Sequence, residues 1–272
     1  MAKHYEWNDY YIPGTQVLRN LFTGPGKPYG ETDPIKLRSI EESKVRARML
    51  LLQSDPIKGN FDFAHMKAIH GFLFQDVYEW AGQERTAPSF WDSRMSKDGH
   101  RYFPAGDPML EQANRLYRGL ASKDYLVGLV QDDFIREYAE FWNEINVVHA
   151  FREGNTRSQF VFFSQLAEHA GYELHSDAFA VGEPLRDAFV EARYVGQDTG
   201  RSDRLAEVLG QAITPLGGGQ IEDVDPDALN AARLSSLSVA SVEARYSRGG
   251  PDVSSRGGGV GPSVSKDDGL SF

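Results

Sequence analysis

Apolar side chains recur every three or four residues over most of the chain, which is the spacing of one face of an α-helix. This pattern predicts helices over residues 37–53, 62–75, 107–120, 129–145, 155–170, 183–195 and 202–213. Asp62 stands where it would cap the second helix, and Pro108 lies in the first turn of the third. The helix over 155–170 is apolar on several faces, which predicts a central, buried position. The fold is therefore predicted to be mostly α.

Two stretches depart from the helical pattern. Residues 85–103 show no helical period and contain Asp98-Gly99, a turn pair that favours a β-hairpin. From residue 217 onward the chain is rich in Gly and Ser and poor in aromatic residues, so it cannot bury enough apolar surface to offset its ordering entropy. We expect a folded domain over residues 1–216, with an N-terminal helical extension, and a disordered Gly/Ser-rich tail over 217–272.

Composition narrows the kinds of chemistry available. The 272 residues are 40% hydrophobic, which supports a sizeable core, and the formal net charge of −10 argues against a nucleic-acid partner. The chain has no Cys, which excludes disulfides, thiolate metal sites and Cys nucleophiles. The first residues form no apolar signal segment, and no apolar run approaches transmembrane length. We expect a cytoplasmic protein without a membrane partner, or one exported by a system that needs no signal peptide.

One loop between two predicted helices, residues 146–157, carries the candidate chemistry. Gly154 allows a tight turn just before the central helix begins. The backbone N–H groups of Gly154, Asn155, Thr156 and Arg157 would then point outward from a helix N-terminus, which is a ready-made anion site.

Three side chains of the loop suit a phosphate substrate. Arg157 falls in the first helical turn, where a cation is unfavourable unless an anion is bound there. Glu153 supplies a hard oxygen ligand suited to Mg²⁺. His149 is a proton acceptor near neutral pH. Together they suit attack of a hydroxyl group on a magnesium-bound nucleotide.

The loop closely resembles the signature of the Fic family, His-Pro-Phe-x-(Asp/Glu)-Gly-Asn-Gly-Arg. Six positions match: His149, Phe151, Glu153, Gly154, Asn155 and Arg157. Residues 76–86 resemble the segment that leads into the family's flap hairpin, and residues 101–104 resemble its exit. The resemblance covers about residues 10–210 and implies a Fic-type helical bundle with a β-hairpin flap over the active-site loop.

The resemblance also implies an activity, in which AMP passes from ATP to a Tyr, Ser or Thr hydroxyl of a target protein. His149 would deprotonate that hydroxyl, and Glu153 would hold Mg²⁺ on the phosphates. Gly154, Asn155 and Thr156 would form the anion cradle, and Arg157 would grip the β- and γ-phosphates. Phe151 would anchor the loop in the core.

The flap would dock the target chain by backbone strand pairing. Its predicted docking residues are Arg85, Thr86, Ala87, Pro88, Tyr102 and Phe103. Other side chains of the flap, among them Trp91 and Asp92, would meet the target surface or simply face solvent.

Three departures from the family pattern leave alternatives open. Ala150 replaces Pro, Thr156 replaces the second Gly, and Phe160 stands where many members carry a second Arg. The nucleotide and the mode of restraint therefore stay open. The alternatives to AMP transfer are transfer of another nucleotide or of a phosphate group, and a catalytically weak binding module.

Restraint of the activity is the last expectation from the resemblance. Many Fic proteins carry an inhibitory helix with the pattern (Ser/Thr)-x-x-x-Glu-(Gly/Asn). Residues 39–42 and 241–243 contain Ser and Glu at the wrong spacing. Either a separate small antitoxin supplies the inhibitory Glu, as in the toxin–antitoxin branch, or restraint is absent. The expected role is that of a bacterial toxin or secreted effector.

Overall fold

The structure, a computed structural model, describes residues 5–88 and 94–217. The predicted tail and the flap residues Trp91 and Asp92 lie outside these ranges. Seven α-helices are described: α1 Pro34–Ser54, α2 Phe63–Phe74, α3 Asp107–Ser122, α4 Gln131–Val148, α5 Asn155–His169, α6 Pro184–Thr199 and α7 Asp203–Leu209. The mostly α fold is confirmed. None of these helices is long and apolar enough to cross a membrane.

Helix starts follow their local chemistry. The Asp33 side chain accepts hydrogen bonds from the first turn of α1, whose first residue is Pro34. Asp62 accepts from the backbone N–H of His65 at 2.8 Å and so caps α2, as predicted. Pro108 lies in the first turn of α3, as predicted. These caps satisfy backbone donors that a helix leaves without an internal partner.

The core centres on α5, as its apolar sequence predicts. Phe160, Phe162 and Phe163 are fully buried. Trp142 of α4 stacks on Phe163 with ring centroids 4.2 Å apart, and the Tyr138 hydroxyl donates to the Phe163 carbonyl at 2.8 Å. Aromatic packing of this kind fixes the N-terminus of α5 relative to the end of α4, where the candidate loop lies.

Two small antiparallel sheets complete the described fold. The predicted hairpin consists of β1 (Arg94–Lys97) and β2 (His100–Pro104), and Asp98 and Gly99 both take positive φ at its turn. A second pair joins β3 (Tyr172–Leu174) to β4 (Ile213–Pro215). The prediction of a helix over 202–213 was wrong at its end. That helix stops at Leu209, because Ile213 pairs with Leu174 in the second sheet.

The N-terminal residues wrap the same core without forming an α-helix before α1. A 3₁₀ turn spans Trp7–Tyr10, and Tyr10 is buried with its ring edge-on to Trp80, centroids 5.4 Å apart. The backbone N–H of Leu21 donates to the carbonyl of Val77 at 2.9 Å. This segment therefore braces the region between α2 and the flap.

Candidate active site

His149 ends α4 in a left-handed conformation, with φ 46° and ψ 58°. Its backbone N–H still donates to the Ile145 carbonyl at 3.1 Å, so the helix closes normally before the chain turns. A left-handed residue other than Gly costs about 1–2 kcal/mol, so the surroundings must hold it in place.

Arg85 supplies much of that hold. The residue is only 1% exposed, and its guanidinium donates from Nε to the His149 carbonyl at 2.6 Å. Nη2 donates to the carbonyls of Phe103 at 2.6 Å and Val148 at 3.3 Å, and the Arg85 N–H donates to the Ala150 carbonyl at 2.8 Å. Arg85 therefore joins the flap to the loop. Its side chain is buried and donates to backbone carbonyls instead of facing solvent.

The His149 imidazole is buried, with 8% of the residue exposed, and stacks on the Tyr102 ring at 3.7 Å. Its Nδ1 has no hydrogen-bond partner among the described residues. Burial, reinforced by the positive charges of Arg85, Arg193 and Lys97, holds the pKa of His149 well below its ordinary value. At neutral pH the ring is therefore uncharged and able to accept a proton.

The loop after His149 is closed by Asn155. Its Oδ1 accepts from the Phe151 N–H at 2.9 Å, and its Nδ2 donates to the Phe151 carbonyl at 2.7 Å. Phe151 itself is buried. The Asn155 side chain thus closes the loop. Because both of its polar atoms bond to Phe151, Asn155 can contribute only its backbone N–H to the predicted cradle.

His70 is a site residue that the sequence reasoning missed. Its Nε2–H donates to the Glu153 carbonyl at 3.0 Å, Nδ1 accepts from the Gly82 N–H at 2.8 Å, and its ring stacks on Phe151 at 3.9 Å. Burial lowers the pKa of His70 to about 3, so the ring is neutral. His70 lies four residues after Met66, and this spacing places both on the inward face of α2, so the sequence pattern could have predicted a buried His70.

Gly154 precedes α5 in a left-handed conformation with φ 77°. A Cβ at this position would lie 2.2 Å from Cζ of Phe74, so only Gly fits. The first internal bond of α5 runs from the Ser158 N–H to the Gly154 carbonyl at 3.0 Å. The N–H groups of Asn155, Thr156 and Arg157 precede it and, by helix geometry, have no acceptor within the helix.

Glu153 and Arg157 lie next to each other at this helix start. The Glu153 side chain is 38% exposed, and its Oε1 accepts from the Gly154 N–H at 3.0 Å and lies 3.7 Å from Arg157 Nη2. Desolvation alone would raise the pKa of Glu153, but the charges of Arg157 and Lys97 leave it below its ordinary value. Glu153 is therefore an ionised carboxylate that is accessible from solvent.

Arg157 is 3% exposed and forms a buried ion pair with Glu41 of α1, and Glu41 also accepts from the Tyr78 hydroxyl. The Arg157 guanidinium lies 4.8 Å from the centre of the Phe74 ring. Glu41 belongs to the stretch whose spacing did not match an inhibitory helix, and only the fold brings it to Arg157.

Two of the three departures from the family pattern, Thr156 and Phe160, make defined contacts in the structure. Phe160 is buried and packs among Trp142, Phe179 and Phe189 in the core. The Thr156 hydroxyl accepts from Nη1 of Arg193, on α6, at 3.1 Å. The sequence reasoning missed Arg193.

The flap residues occupy two environments. Tyr102 is buried against His149, and the Phe103 carbonyl is held by Arg85. The Thr86 N–H donates to the Tyr10 hydroxyl at 3.3 Å, and Ala87 and Pro88 are half-buried.

Helix α6 holds the outer part of the hairpin. His100 stacks on Tyr194 at 3.9 Å and contacts Asp198 at 2.8 Å, and Gln197 donates to the Arg101 carbonyl at 2.8 Å. The flap therefore has one edge anchored to the active-site loop and one to α6.

A small cavity that is partly open to solvent brings these parts together. Its lining includes Lys97, Tyr102, Asn146, His149, Thr156 and Arg193. A proton acceptor, a helix N-terminus and two cationic side chains thus converge on one space, which is suited to an anionic substrate.

Comparison with known proteins agrees with this geometry. The model of the Fic/DOC family matches residues 60–167. A probable protein adenylyltransferase, y4lH of Sinorhizobium fredii, is 39% identical over 183 residues, covering 66% of this chain and 85% of that protein. The protein adenylyltransferase VbhT of Bartonella schoenbuchensis is 32% identical over 240 residues, covering 88% of this chain and 46% of VbhT.

Among solved structures, the BepC protein of Bartonella tribocorum, a VirB-translocated effector with bound AMPPNP, superposes with a TM-score of 0.66. It is 24% identical and shares the fold, covering 78% of this chain and 99% of that one. The chain belongs to the Fic/DOC family. It is an enzyme of the nucleotidyltransferase class, in common with relatives named protein adenylyltransferase.

Proposed function

We propose that this protein transfers AMP from ATP to a Tyr, Ser or Thr hydroxyl of a target protein, with His149 as the general base. The hydroxyl oxygen forms a bond to the α-phosphorus, the bond from that phosphorus to the bridging oxygen breaks, and pyrophosphate leaves. The observation that carries the proposal is the buried, neutral imidazole of His149 in one cavity with Thr156, in the N-terminal turn of α5. His149 accepts the proton of the attacking hydroxyl.

The phosphates are bound at the start of α5. Backbone N–H groups of Asn155, Thr156 and Arg157 face the anion, and the helix dipole adds to their attraction. Binding of AMPPNP by the BepC protein supports ATP as the donor. Arg157 contributes its backbone N–H here, while its side chain is paired with Glu41. A role for that side chain on the β- and γ-phosphates stays a prediction.

Glu153 is the proposed protein ligand of Mg²⁺. No cluster of three or more metal-binding side chains occurs in residues 5–88 and 94–217, so the protein would offer one carboxylate and the phosphates would offer the rest. Mg²⁺ is commonly bound in this way in nucleotide sites. The ion would neutralise charge on the phosphates, and the ionised Glu153 is suited to hold it.

The target chain docks on the flap by strand pairing in this proposal. The segment Arg94–Lys97 is a short edge strand next to the cavity, and its backbone groups are suited to an extended peptide. Arg85 and Tyr102 position the flap against His149, while the docking contribution of Thr86, Ala87, Pro88 and Phe103 stays a prediction.

Transfer of label from [α-³²P]ATP to proteins of bacterial and eukaryotic lysates tests the proposal. His149→Ala should abolish transfer while the melting temperature is retained. His175→Ala is a matched control, since His175 follows β3, has 42% of its side chain exposed and does not line the cavity, and it should label as the parent does. Labelling by His149→Ala at the parental rate would refute the assignment.

The second candidate function is transfer from a nucleotide other than ATP. It is favoured by Thr156, which adds a side chain to the anion cradle where the family signature has Gly and which bonds to Arg193. A target protein identified in the lysate experiment is purified and incubated with the enzyme and ATP, GTP or UTP. Its intact mass then distinguishes AMP transfer from transfer of another nucleotide or of phosphate. A mass increase corresponding to AMP supports the first proposal, and one corresponding to GMP, UMP or phosphate supports the second.

The role of toxin or secreted effector is also part of the proposal. VirB-translocated effectors among the structural neighbours support it. Restraint by a small antitoxin that inserts a Glu near the phosphates would fit a toxin. Expression of the chain alone should then be toxic, and co-expression with a candidate antitoxin should rescue growth. A harmless yet active isolated chain would contradict the antitoxin.

A further inference from the structure

Arg193 is a buried cation in the wall of the candidate active site. It lies on α6, is 6% exposed, and donates from Nη1 to the Thr156 hydroxyl at 3.1 Å. Its Nε, at 3.0 Å, and its Nη2 both donate to Asn146 Oδ1. These partners come from the first turn of α5 and the last turn of α4. The guanidinium is thus fixed between the two helices that frame the candidate loop.

The cavity that Arg193 lines also contains His149. The charge of Arg193 contributes to the lowered pKa of His149, which agrees with their closeness. Because His149 acts on the hydroxyl that attacks phosphorus, a cation in the same cavity faces the phosphoryl group under attack. Fixed cations aimed at such a group stabilise charge there in both the bound and the transition state.

Other cations of the loop are engaged elsewhere. The Arg157 side chain is paired with Glu41, and Arg152 donates to the Tyr11 hydroxyl at 2.6 Å with its guanidinium 4.9 Å from the Trp7 ring. At position 160 an apolar ring occupies the core. Among residues 5–88 and 94–217, Arg193 reaches the N-terminal turn of α5 from outside the loop and is held there by Thr156.

We propose that Arg193 is a phosphate-binding residue that contacts the α-phosphate of the nucleotide, with Thr156 and Asn146 orienting its guanidinium. The inference depends on the proposed nucleotidyl transfer and adds a ligand that the loop motif does not contain. Arginine suits this task because its planar fork presents several N–H donors at once, so contacts to neutral oxygens and to phosphate are compatible.

The experiment measures nucleotide affinity by calorimetry in the full chain carrying His149→Ala, which cannot turn over. Adenosine, AMP and ATP are titrated in the presence of Mg²⁺. Adding Arg193→Gln should weaken AMP and ATP by a similar factor of about 10–100, the worth of a hydrogen bond to a charged group, and leave adenosine unchanged. Arg201→Gln is the matched control, because Arg201 is exposed just after α6, and it should bind all three as the parent does.

Two results would overturn the inference: AMP affinity within about twofold of the parent, or a loss confined to ATP, which would assign Arg193 to the outer phosphates. If the His149→Ala chain binds no ATP at all, the proposed function fails together with the inference. If it binds ATP and Arg193→Gln binds equally well, only the role of Arg193 fails.

A second pair of variants protects the test against misfolding of Arg193→Gln. Thr156→Val keeps the shape of the side chain but removes the hydroxyl that orients Arg193, whereas Thr156→Ser keeps the hydroxyl. We expect AMP affinity to fall further in Thr156→Val than in Thr156→Ser. Equal AMP affinity in the two variants would contradict the orienting contact.

Discussion

His149 combines an unusual backbone conformation with a depressed pKa, and both follow from its neighbours. Arg85 donates to the His149 carbonyl and so stabilises the left-handed backbone. Burial, together with the charges of Arg85, Arg193 and Lys97, disfavours the imidazolium form of His149. The functional form of a general base is the neutral form, so these contacts keep it populated at acidic pH.

The rate of AMP transfer should therefore stay nearly constant between about pH 8 and about pH 6. The folded-state pKa of His149 lies well below 6.5, so the base form persists, whereas an ordinary His would lose about three quarters of it at about pH 6. Initial rates at saturating ATP across this range check the prediction. Circular dichroism at each pH controls for unfolding, and a decline centred near pH 6.5 would contradict it.

At the scale of elements, the start of α5 depends on one glycine. Gly154 needs a positive φ and leaves no room for a Cβ beside Phe74. Gly154 allows Phe74 of α2 to approach this turn closely and allows the turn that places the first N–H groups of α5 at the cavity. The same glycine is therefore needed for packing and for anion binding.

Gly154→Ala should destabilise the fold by about 2–5 kcal/mol, through the left-handed strain and the clash with Phe74, and should abolish transfer. Gly171→Ala is the matched control: its φ is also positive at 91°, but nothing lies within 4 Å of the added Cβ, so it should cost only about 1–2 kcal/mol. Urea denaturation of both variants measures the difference. Equal losses would show that the Phe74 contact is relieved easily.

The elements that sequence reasoning predicted are those with long periodic patterns or local caps. Asp62 caps α2 within three residues, and α5 is apolar on several faces, so both helices were visible locally. The β3–β4 pair was not, because each strand has three residues and their pairing joins distant parts of the chain.

The candidate site divides in the same way. The loop from His149 to Arg157 is one continuous stretch, so its chemistry was open to prediction. The contact between Glu41 and Arg157 spans 116 positions, and that between Arg193 and Thr156 spans 37. Such partners are set by helix packing, for which the linear spacing of charged residues carries no signal.

For the molecule as a whole, the ion pair between Glu41 and Arg157 joins α1 to α5 through the core. Both groups are nearly inaccessible to water, and Tyr78 adds a second hydrogen bond to the carboxylate. Loss of one partner in a buried pair leaves an uncompensated charge, which is far more costly than loss of a surface pair.

Glu41→Gln should therefore lower the free energy of unfolding by about 3 kcal/mol, whereas Glu42→Gln should change it by less than about 1 kcal/mol. Glu42 is a close control, because it adjoins Glu41 on α1 and pairs with Arg38 at the surface. Chemical denaturation of the two variants measures the contrast. A similar small change in both would mean that Arg157 finds another partner when Glu41 is neutral.

Helix α6 contacts the outer hairpin through Tyr194, Gln197 and Asp198, and the residue before Tyr194 is Arg193, at the cavity. If Arg193 binds phosphate as proposed, a rigid helix links the surface where a target would dock to the nucleotide. Thermodynamic reciprocity then applies: whatever factor a docked target contributes to nucleotide affinity, bound nucleotide contributes to target affinity. Where that factor exceeds one, the ternary complex is favoured over either binary one, which would limit transfer of AMP to water when no target is present.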